Sequence, residues 1–79
     1  MFLLNIGSAG ADVQNLQVML NRVVTAPPLL QPDGLFGPKT RARVVQFQTN
    51  SGLVADGIVG PITRDALVAS VLTATLQRY

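Results

Sequence analysis

Residues 33–48 read DGLFGPKTRARVVQFQ, and this stretch decides the fold. An aspartate–glycine turn is followed by a glycine–proline step and then by a segment with helical spacing. Its first twelve positions are echoed 23 residues later by DGIVGPITRDAL, at residues 56–67. A short chain seldom repeats such a pattern by chance, so we expect two copies of one local structure. Six of the twelve positions are identical: Asp33/Asp56, Gly34/Gly57, Gly37/Gly60, Pro38/Pro61, Thr40/Thr63 and Arg41/Arg64.

Each copy predicts a turn that launches a helix. An aspartate before glycine can bond its own backbone two residues on, and glycine takes a positive φ without strain. Proline suits the first position of a helix, so helices should begin at Pro38 and Pro61. Between turn and helix, each copy delivers an apolar pair to the core. These two pairs, at residues 35–36 and 58–59, could join as a small antiparallel bridge.

The remaining segments complete a three-helix pattern. Apolar residues at Val13, Leu16, Leu20 and Val23 form one helical stripe, which predicts a first helix at about residues 11–24. Ser8 or Asp12 could cap its start. The second helix should end at residues 50–52, and the third should continue toward the end of the chain. We predict an all-α fold, a compact three-helix bundle built around the two turn–helix repeats.

Composition narrows the possible functions. The 79 residues suit one domain, at 1–79, with its motifs in about 3–68 and a helical extension at 69–79. Cysteine and histidine are absent, and the six basic residues are scattered rather than arranged as the basic stripe of a nucleic-acid binder. No run approaches the ~20 apolar residues that span a bilayer. We therefore expect a monomer that uses no cofactor or metal and binds neither nucleic acid nor membrane.

The equivalent aspartates Asp33 and Asp56 raise the question of catalysis. Two carboxylates could serve as the acid and base of a glycosidase. Each one precedes a glycine in a turn, however, where a side chain that accepts backbone hydrogen bonds is the simpler interpretation. The sequence also lacks a histidine or cysteine nucleophile system and a metal-binding set. We therefore expect no catalytic residues and no enzymatic activity.

Three blocks of the sequence resemble the bacterial peptidoglycan-binding domain family. They are IGSAGADVQNLQVMLNRV at residues 6–23, DGLFGPKTRARVVQFQ at residues 33–48, and GLVADGIVGPITRDAL at residues 52–67. The resemblance implies a non-catalytic three-helix module that tethers a fused or associated cell-wall hydrolase or phage lysin to peptidoglycan. It implies action in the cell wall, the periplasm or outside the cell, although the opening MFLLNI lacks the features of a signal peptide.

Three features depart from the family pattern. Arg43 stands where a small alanine is usual, so it must snorkel outward or serve the binding surface. The connector at residues 23–32 is longer and richer in proline than usual. The tail at residues 69–79 extends past the usual end of the motif.

The binding hypothesis places a shallow groove near the two turns. Peptidoglycan carries amino sugars and peptide stems with free carboxylates, and arginine can grip a carboxylate through two parallel bonds. Alternatively, the arginines are solvated and the threonines bond their own helices. Gln17 and Gln48 are interpreted as supports of loop backbone, and Phe36 and Phe47 as core. The hypothesised ligand-binding residues are Lys39, Thr40, Arg41, Arg43, Thr63 and Arg64.

Two other interpretations stay open at this stage. The same fold could act as a protein-interaction or adaptor module of a phage or secretion assembly, without binding the wall. An exposed stripe at Val71, Leu72 and Leu76 would then be the partner surface. A small hydrolase would rest on the aspartate pair alone.

Overall fold

A computed structural model describes residues 3–25 and 27–76 of the chain, with side chains as far as Thr73. It contains three helices, α1 (Ala11–Val23), α2 (Pro38–Asn50) and α3 (Pro61–Leu76). Helix α1 packs against both α2 and α3 and is the centre of the bundle. The all-α, three-helix prediction is confirmed, and the two prolines begin their helices as predicted. The part of the tail prediction at residues 77–79 lies outside the described residues.

Glycine carbonyls begin all three helices. The carbonyl oxygens of Gly10, Gly37 and Gly60 each accept an amide hydrogen bond from the residue four positions on, at 2.9–3.1 Å. The predicted capping of α1 by Ser8 or Asp12 is wrong, because the helix start has no side-chain cap. The Ser8 hydroxyl instead accepts a bond from the Asn5 amide (3.2 Å), and Asp12 lies inside the first helical turn.

The N-terminal segment separates the two turns. We expected the apolar pairs at residues 35–36 and 58–59 to bridge each other, but each one pairs with this segment instead. Leu4 forms an antiparallel bridge with Val59, and Ala9 forms another with Leu35. Because the segment lies between the turns, it takes the hydrogen-bonding edges that the two pairs would otherwise have offered each other.

The core combines one stripe from each helix with residues from the loops. Leu30 is buried and its neighbour Leu29 is exposed, so the connector places one of its two leucines in the core. Val24, rather than Val23, is the more deeply buried end of the first stripe. Only one member of the first apolar pair points inward, because successive side chains of an extended segment face opposite sides. The buried apolar residues are Leu4, Val13, Leu16, Leu20, Val24, Leu30, Phe36, Val44, Phe47, Val59 and Leu67.

Candidate functional site

A buried glutamine holds the first turn. The Gln17 side-chain nitrogen donates to the Leu35 carbonyl (3.0 Å), to Asp33 Oδ1 (3.1 Å) and to Thr40 Oγ1 (3.1 Å). Its oxygen accepts the Gly34 amide (2.9 Å). An amide nitrogen carries two hydrogens, so its three acceptors share them. This one side chain therefore joins α1, the turn and the start of α2.

The second turn is held in the same way by Gln48. The Gln48 side-chain nitrogen donates to the Ile58 carbonyl (3.0 Å), to Asp56 Oδ1 (3.1 Å) and to Thr63 Oγ1 (3.1 Å). Its oxygen accepts the Gly57 amide (3.0 Å). We call Gln17 with residues 33–40 the first unit, and Gln48 with residues 56–63 the second unit. The repeat is thus a three-dimensional unit that includes a glutamine from the preceding helix, and both glutamines have the predicted structural role.

The two threonines are buried inside these units. Thr40 is 3% exposed and Thr63 is 7% exposed, and each hydroxyl accepts a bond from a glutamine amide. Burial and the bond from the glutamine favour a structural role for both hydroxyls. Their contact with a ligand stays a prediction, and we leave both threonines out of the surface proposed below.

The aspartates act as backbone acceptors in their own turns. Asp33 Oδ1 accepts the Leu35 amide and Asp56 Oδ1 accepts the Ile58 amide, each at 2.9 Å. These bonds, helped by the glutamine amides, hold the pKa of both carboxyls below the ordinary value of 3.8. A carboxyl that acts as a general acid needs a raised pKa, so the shift has the wrong direction for that role. The arrangement matches the structural interpretation of the pair.

A groove of about 710 Å³ lies beside the first unit. The connector at residues 28–31 forms the part of its lining that we call the connector wall. The rest of the lining comes from α1, from the turn and from α2: Gln17, Asp33, Leu35, Gly37, Pro38, Lys39, Thr40, Ala42, Arg43 and Gln46. Its surface is mostly apolar, and two of its leucines, Leu29 and Leu35, are 54% and 61% exposed. Exposed apolar side chains that converge on one groove mark a binding surface more often than scattered ones do.

Polar side chains hold the connector wall by its backbone. The Asn21 side-chain amide makes two hydrogen bonds with the Leu30 backbone. Its nitrogen donates to the Leu30 carbonyl (2.9 Å), and its oxygen accepts from the Leu30 N–H (2.8 Å). Gln14 donates to the Pro32 carbonyl (3.0 Å), and Arg43 donates to the Pro28 carbonyl (2.7 Å). The connector is therefore tied to α1 and α2 through three side chains.

The predicted cations fall into two groups. Lys39, which is exposed, and Arg43, which is half-buried, both line the groove. Arg41 lies instead against the second unit, where a Cβ added to Gly57 would come within 2.9 Å of its Nε. Arg64 lies in the first turn of α3 and is absent from the groove lining. The structure thus gathers two of the four predicted cations and separates the other two from them.

Sequence reasoning missed the connector wall of the groove and the contribution of Leu35 to its lining. Pro28, Leu29 and Gln31 were assigned only a connecting role, and Leu35 an inward direction. One signal could have found them. The turn glycine follows its glutamine by 17 residues in the first unit and by 9 residues in the second. The first connector is therefore longer, and its additional residues must occupy a position of their own beside the shared turn.

Neither a metal-binding cluster nor a membrane-spanning helix is found among the described residues. Within the described residues, no three side chains of the His, Cys, Asp and Glu types come together as a metal site would require. The helices of the described part also lack the combination of length and apolar character that crossing a bilayer demands.

Comparison with known proteins links the fold to cell-wall enzymes. The chain is 45% identical over 60 residues to the zinc D-Ala-D-Ala carboxypeptidase of Streptomyces albus G, matching 76% of this chain but 24% of that enzyme. The SleB N-terminal domain superposes with a TM-score of 0.80 at 31% identity, covering 89% of this chain and 93% of that one. A Burkholderia AP3 phage endolysin superposes with a TM-score of 0.73 at 44% identity, covering 84% of this chain and 24% of the endolysin.

The family assignment follows from the length of the matched region. Residues 9–67 match the family described as "Putative peptidoglycan binding domain", which includes both turn–helix repeats. The chain spans about a quarter of the length of the carboxypeptidase and of the endolysin, so it corresponds to one module of each. The chain belongs to the peptidoglycan-binding domain family, whose members occur in cell-wall hydrolases and phage endolysins.

Proposed function

We propose that this chain binds peptidoglycan through the groove beside the first unit and performs no catalysis itself. The observation that carries the proposal is the groove, with its exposed Leu29 and Leu35 and the cation Lys39. Its role is to hold a fused or associated cell-wall enzyme at the wall, outside the cytoplasm. Tethering raises the effective concentration of such an enzyme even when the module alone binds weakly.

The same groove explains why only part of the hypothesised site is retained. Lys39 and Arg43 remain in it, and the apolar residues of the connector join them. Arg41 contacts the second turn, and Arg64 lies outside the groove lining. We therefore assign the binding role to one unit rather than to a surface shared by both.

Co-sedimentation with purified sacculi tests this assignment. The double variant Leu29→Gln/Leu35→Gln removes apolar surface from the groove at two exposed positions and should leave the core intact. Its matched control is Val54→Gln/Ile62→Gln, because those side chains are also exposed (80% and 73%) and are absent from the groove lining. We expect the bound fraction to fall in the first variant and to equal that of the parent chain in the control.

Three outcomes would contradict the proposal. Equal binding by both double variants would exclude this groove as the site. Release of soluble fragments from the sacculi would contradict a non-catalytic role. A parent chain that does not sediment with sacculi would favour the adaptor function, for which Leu72, 59% exposed on α3, provides an apolar contact.

A further inference from the structure

The chemistry of the groove specifies more than a general affinity for the wall. Its walls present prolines and leucines, including Pro28, Leu29, Leu35 and Pro38, whose surfaces suit small apolar groups such as methyls. The connector part of this lining is held by bonds from Asn21 and Arg43 to its backbone. A ligand that matches this surface should therefore carry apolar groups such as methyls.

The charged groups of the groove differ in what they can offer a ligand. The Asp33 carboxylate already accepts the Leu35 amide and the Gln17 side chain. The Arg43 guanidinium donates to the Pro28 carbonyl and to Gln46 Oε1. Lys39 is exposed on the second residue of α2, where an incoming anion can reach it. A charge-assisted bond from its ammonium group would favour a carboxylate.

Aromatic surface, by contrast, is missing from this site. The lining described for the groove contains no aromatic side chain. Phe36 and Phe47, which are 3% and 4% exposed, lie in the core. A sugar ring would have no aromatic face on which to stack, whereas a peptide end with methyl side chains meets apolar walls and a cation.

We propose that the groove receives the free carboxyl end of a peptide with small apolar side chains, such as a peptidoglycan stem peptide ending in D-alanine. The terminal carboxylate contacts Lys39, and the methyl groups lie against Leu29, Leu35 and Pro38. Arg43 acts as a positioning residue that holds the connector wall. The inference rests on the proposed function and names the part of the wall that is recognised.

Calorimetric titration of the 79-residue chain with three soluble probes tests this inference. The probes are a stem peptide with a free D-alanyl-D-alanine end, the same peptide as its C-terminal amide, and a glycan oligomer without peptide. We expect the free acid to bind, the amide to bind about three- to tenfold more weakly, and the glycan to bind more weakly still. Lys39→Gln should lower affinity for the acid to that for the amide, whereas Arg22→Gln removes a charge elsewhere and should preserve the difference.

Sedimentation with sacculi in parallel separates the two proposals. Equal affinity for acid and amide, or tighter binding of the glycan, would overturn the stem-peptide inference while binding to sacculi persists. Failure of the free acid to bind, in a chain that still sediments with sacculi, would overturn it as well. Loss of binding to sacculi by the parent chain would instead remove the proposed function.

Discussion

The two turn–helix units have the same internal structure and different surroundings. In both, a buried glutamine bonds the turn aspartate, a carbonyl, the glycine amide and a threonine, with corresponding distances that agree within 0.1 Å. Only the first unit lies beside the long connector and its groove. The residues that are the same in both units build the fold, and the residues that differ are the candidates for binding.

Two differences between the copies of the repeat place cations on α2. Lys39 and Arg43 correspond, 23 residues further on, to Ile62 and Ala66 of α3. Both cations line the groove, and neither has a charged counterpart on α3. Sequence duplication therefore explains the shared turns, while divergence at two helix positions and in the connector distinguishes the surface that we propose for binding.

The largest expected effect comes from removing the glutamines. Gln17→Leu leaves the buried Gly34 amide and Thr40 hydroxyl without this partner, and Gln48→Leu does the same to Gly57 and Thr63. Each unsatisfied buried group costs about 1–3 kcal/mol, so each variant should lose roughly 3 kcal/mol of unfolding free energy. Urea denaturation should show similar losses for both, with the exposed Gln31→Leu as a control. A loss confined to one variant would contradict the equivalence of the units.

A smaller effect should separate the two turn glycines. Gly34 and Gly57 have φ of +76° and +75°, so alanine at either should cost about 1–2 kcal/mol. At Gly34 the new Cβ would also meet the Gly10 carbonyl oxygen at 3.0 Å, whereas at Gly57 it would meet the flexible Arg41 side chain. Thermal unfolding should therefore show Gly34→Ala as the more destabilising change.

A double-mutant cycle sharpens that comparison. Arg41→Ala should offset part of the cost of Gly57→Ala, because it removes the side chain that the new Cβ would meet. The same Arg41→Ala change should leave the cost of Gly34→Ala unaltered. Equal coupling of Arg41 to both glycines would mean that its contact with the second turn is not specific.

Arg43 should affect binding more than stability. Arg43→Met keeps much of the aliphatic stem and loses the bond to the Pro28 carbonyl, at a cost of about 1 kcal/mol or less in unfolding free energy. Binding to sacculi should nevertheless fall, because the connector wall loses one of its ties. Gln14→Met removes the hydrogen bond to the Pro32 carbonyl and provides a comparison within the same connector. An unchanged bound fraction in Arg43→Met would contradict the positioning role.

The smallest expected effect concerns the two aspartates. Because the folded pKa of Asp33 and of Asp56 lies below 3.8, their ionised forms stabilise the fold above that pH. This contribution should be lost as pH falls from about 3.8 through the lower folded values. Arg41 adds to the shift of Asp56 but is not a cause for Asp33. Carboxyl titrations by NMR should therefore show that Arg41→Gln raises the pKa of Asp56 alone.

The sequence predicted the parts of the fold that rest on local chemistry. Glycine–proline steps begin two helices, and aspartate–glycine turns need a positive φ, so both are readable from short stretches. The bridges were assigned wrongly because their partners are set by where residues 3–10 run, which no local pattern contains. The burial of Thr40 and Thr63 also depends on a glutamine 23 or 15 residues earlier in the chain.

The candidate site was less predictable than the fold. Positive charge was the criterion that selected Lys39 and Arg43, which line the groove. The same criterion also selected Arg41 and Arg64, which are not part of the groove lining. The connector wall is bonded by Asn21, Gln14 and Arg43 at three carbonyls and at the Leu30 amide. Such bonds depend on the path of the backbone, so the residues that build the wall have no signature of their own in the sequence.

The most direct test of binding by one unit is a residue-by-residue map of the contact surface. Amide chemical shifts of the chain can be followed while solubilised peptidoglycan fragments are added. We predict that the amide shifts change at residues 29–31, 35 and 39–43, in and around the first unit, and stay constant at residues 56–60 and 62–64, in and next to the second. Changes centred on residues 56–64, with the groove residues unaffected, would contradict the account.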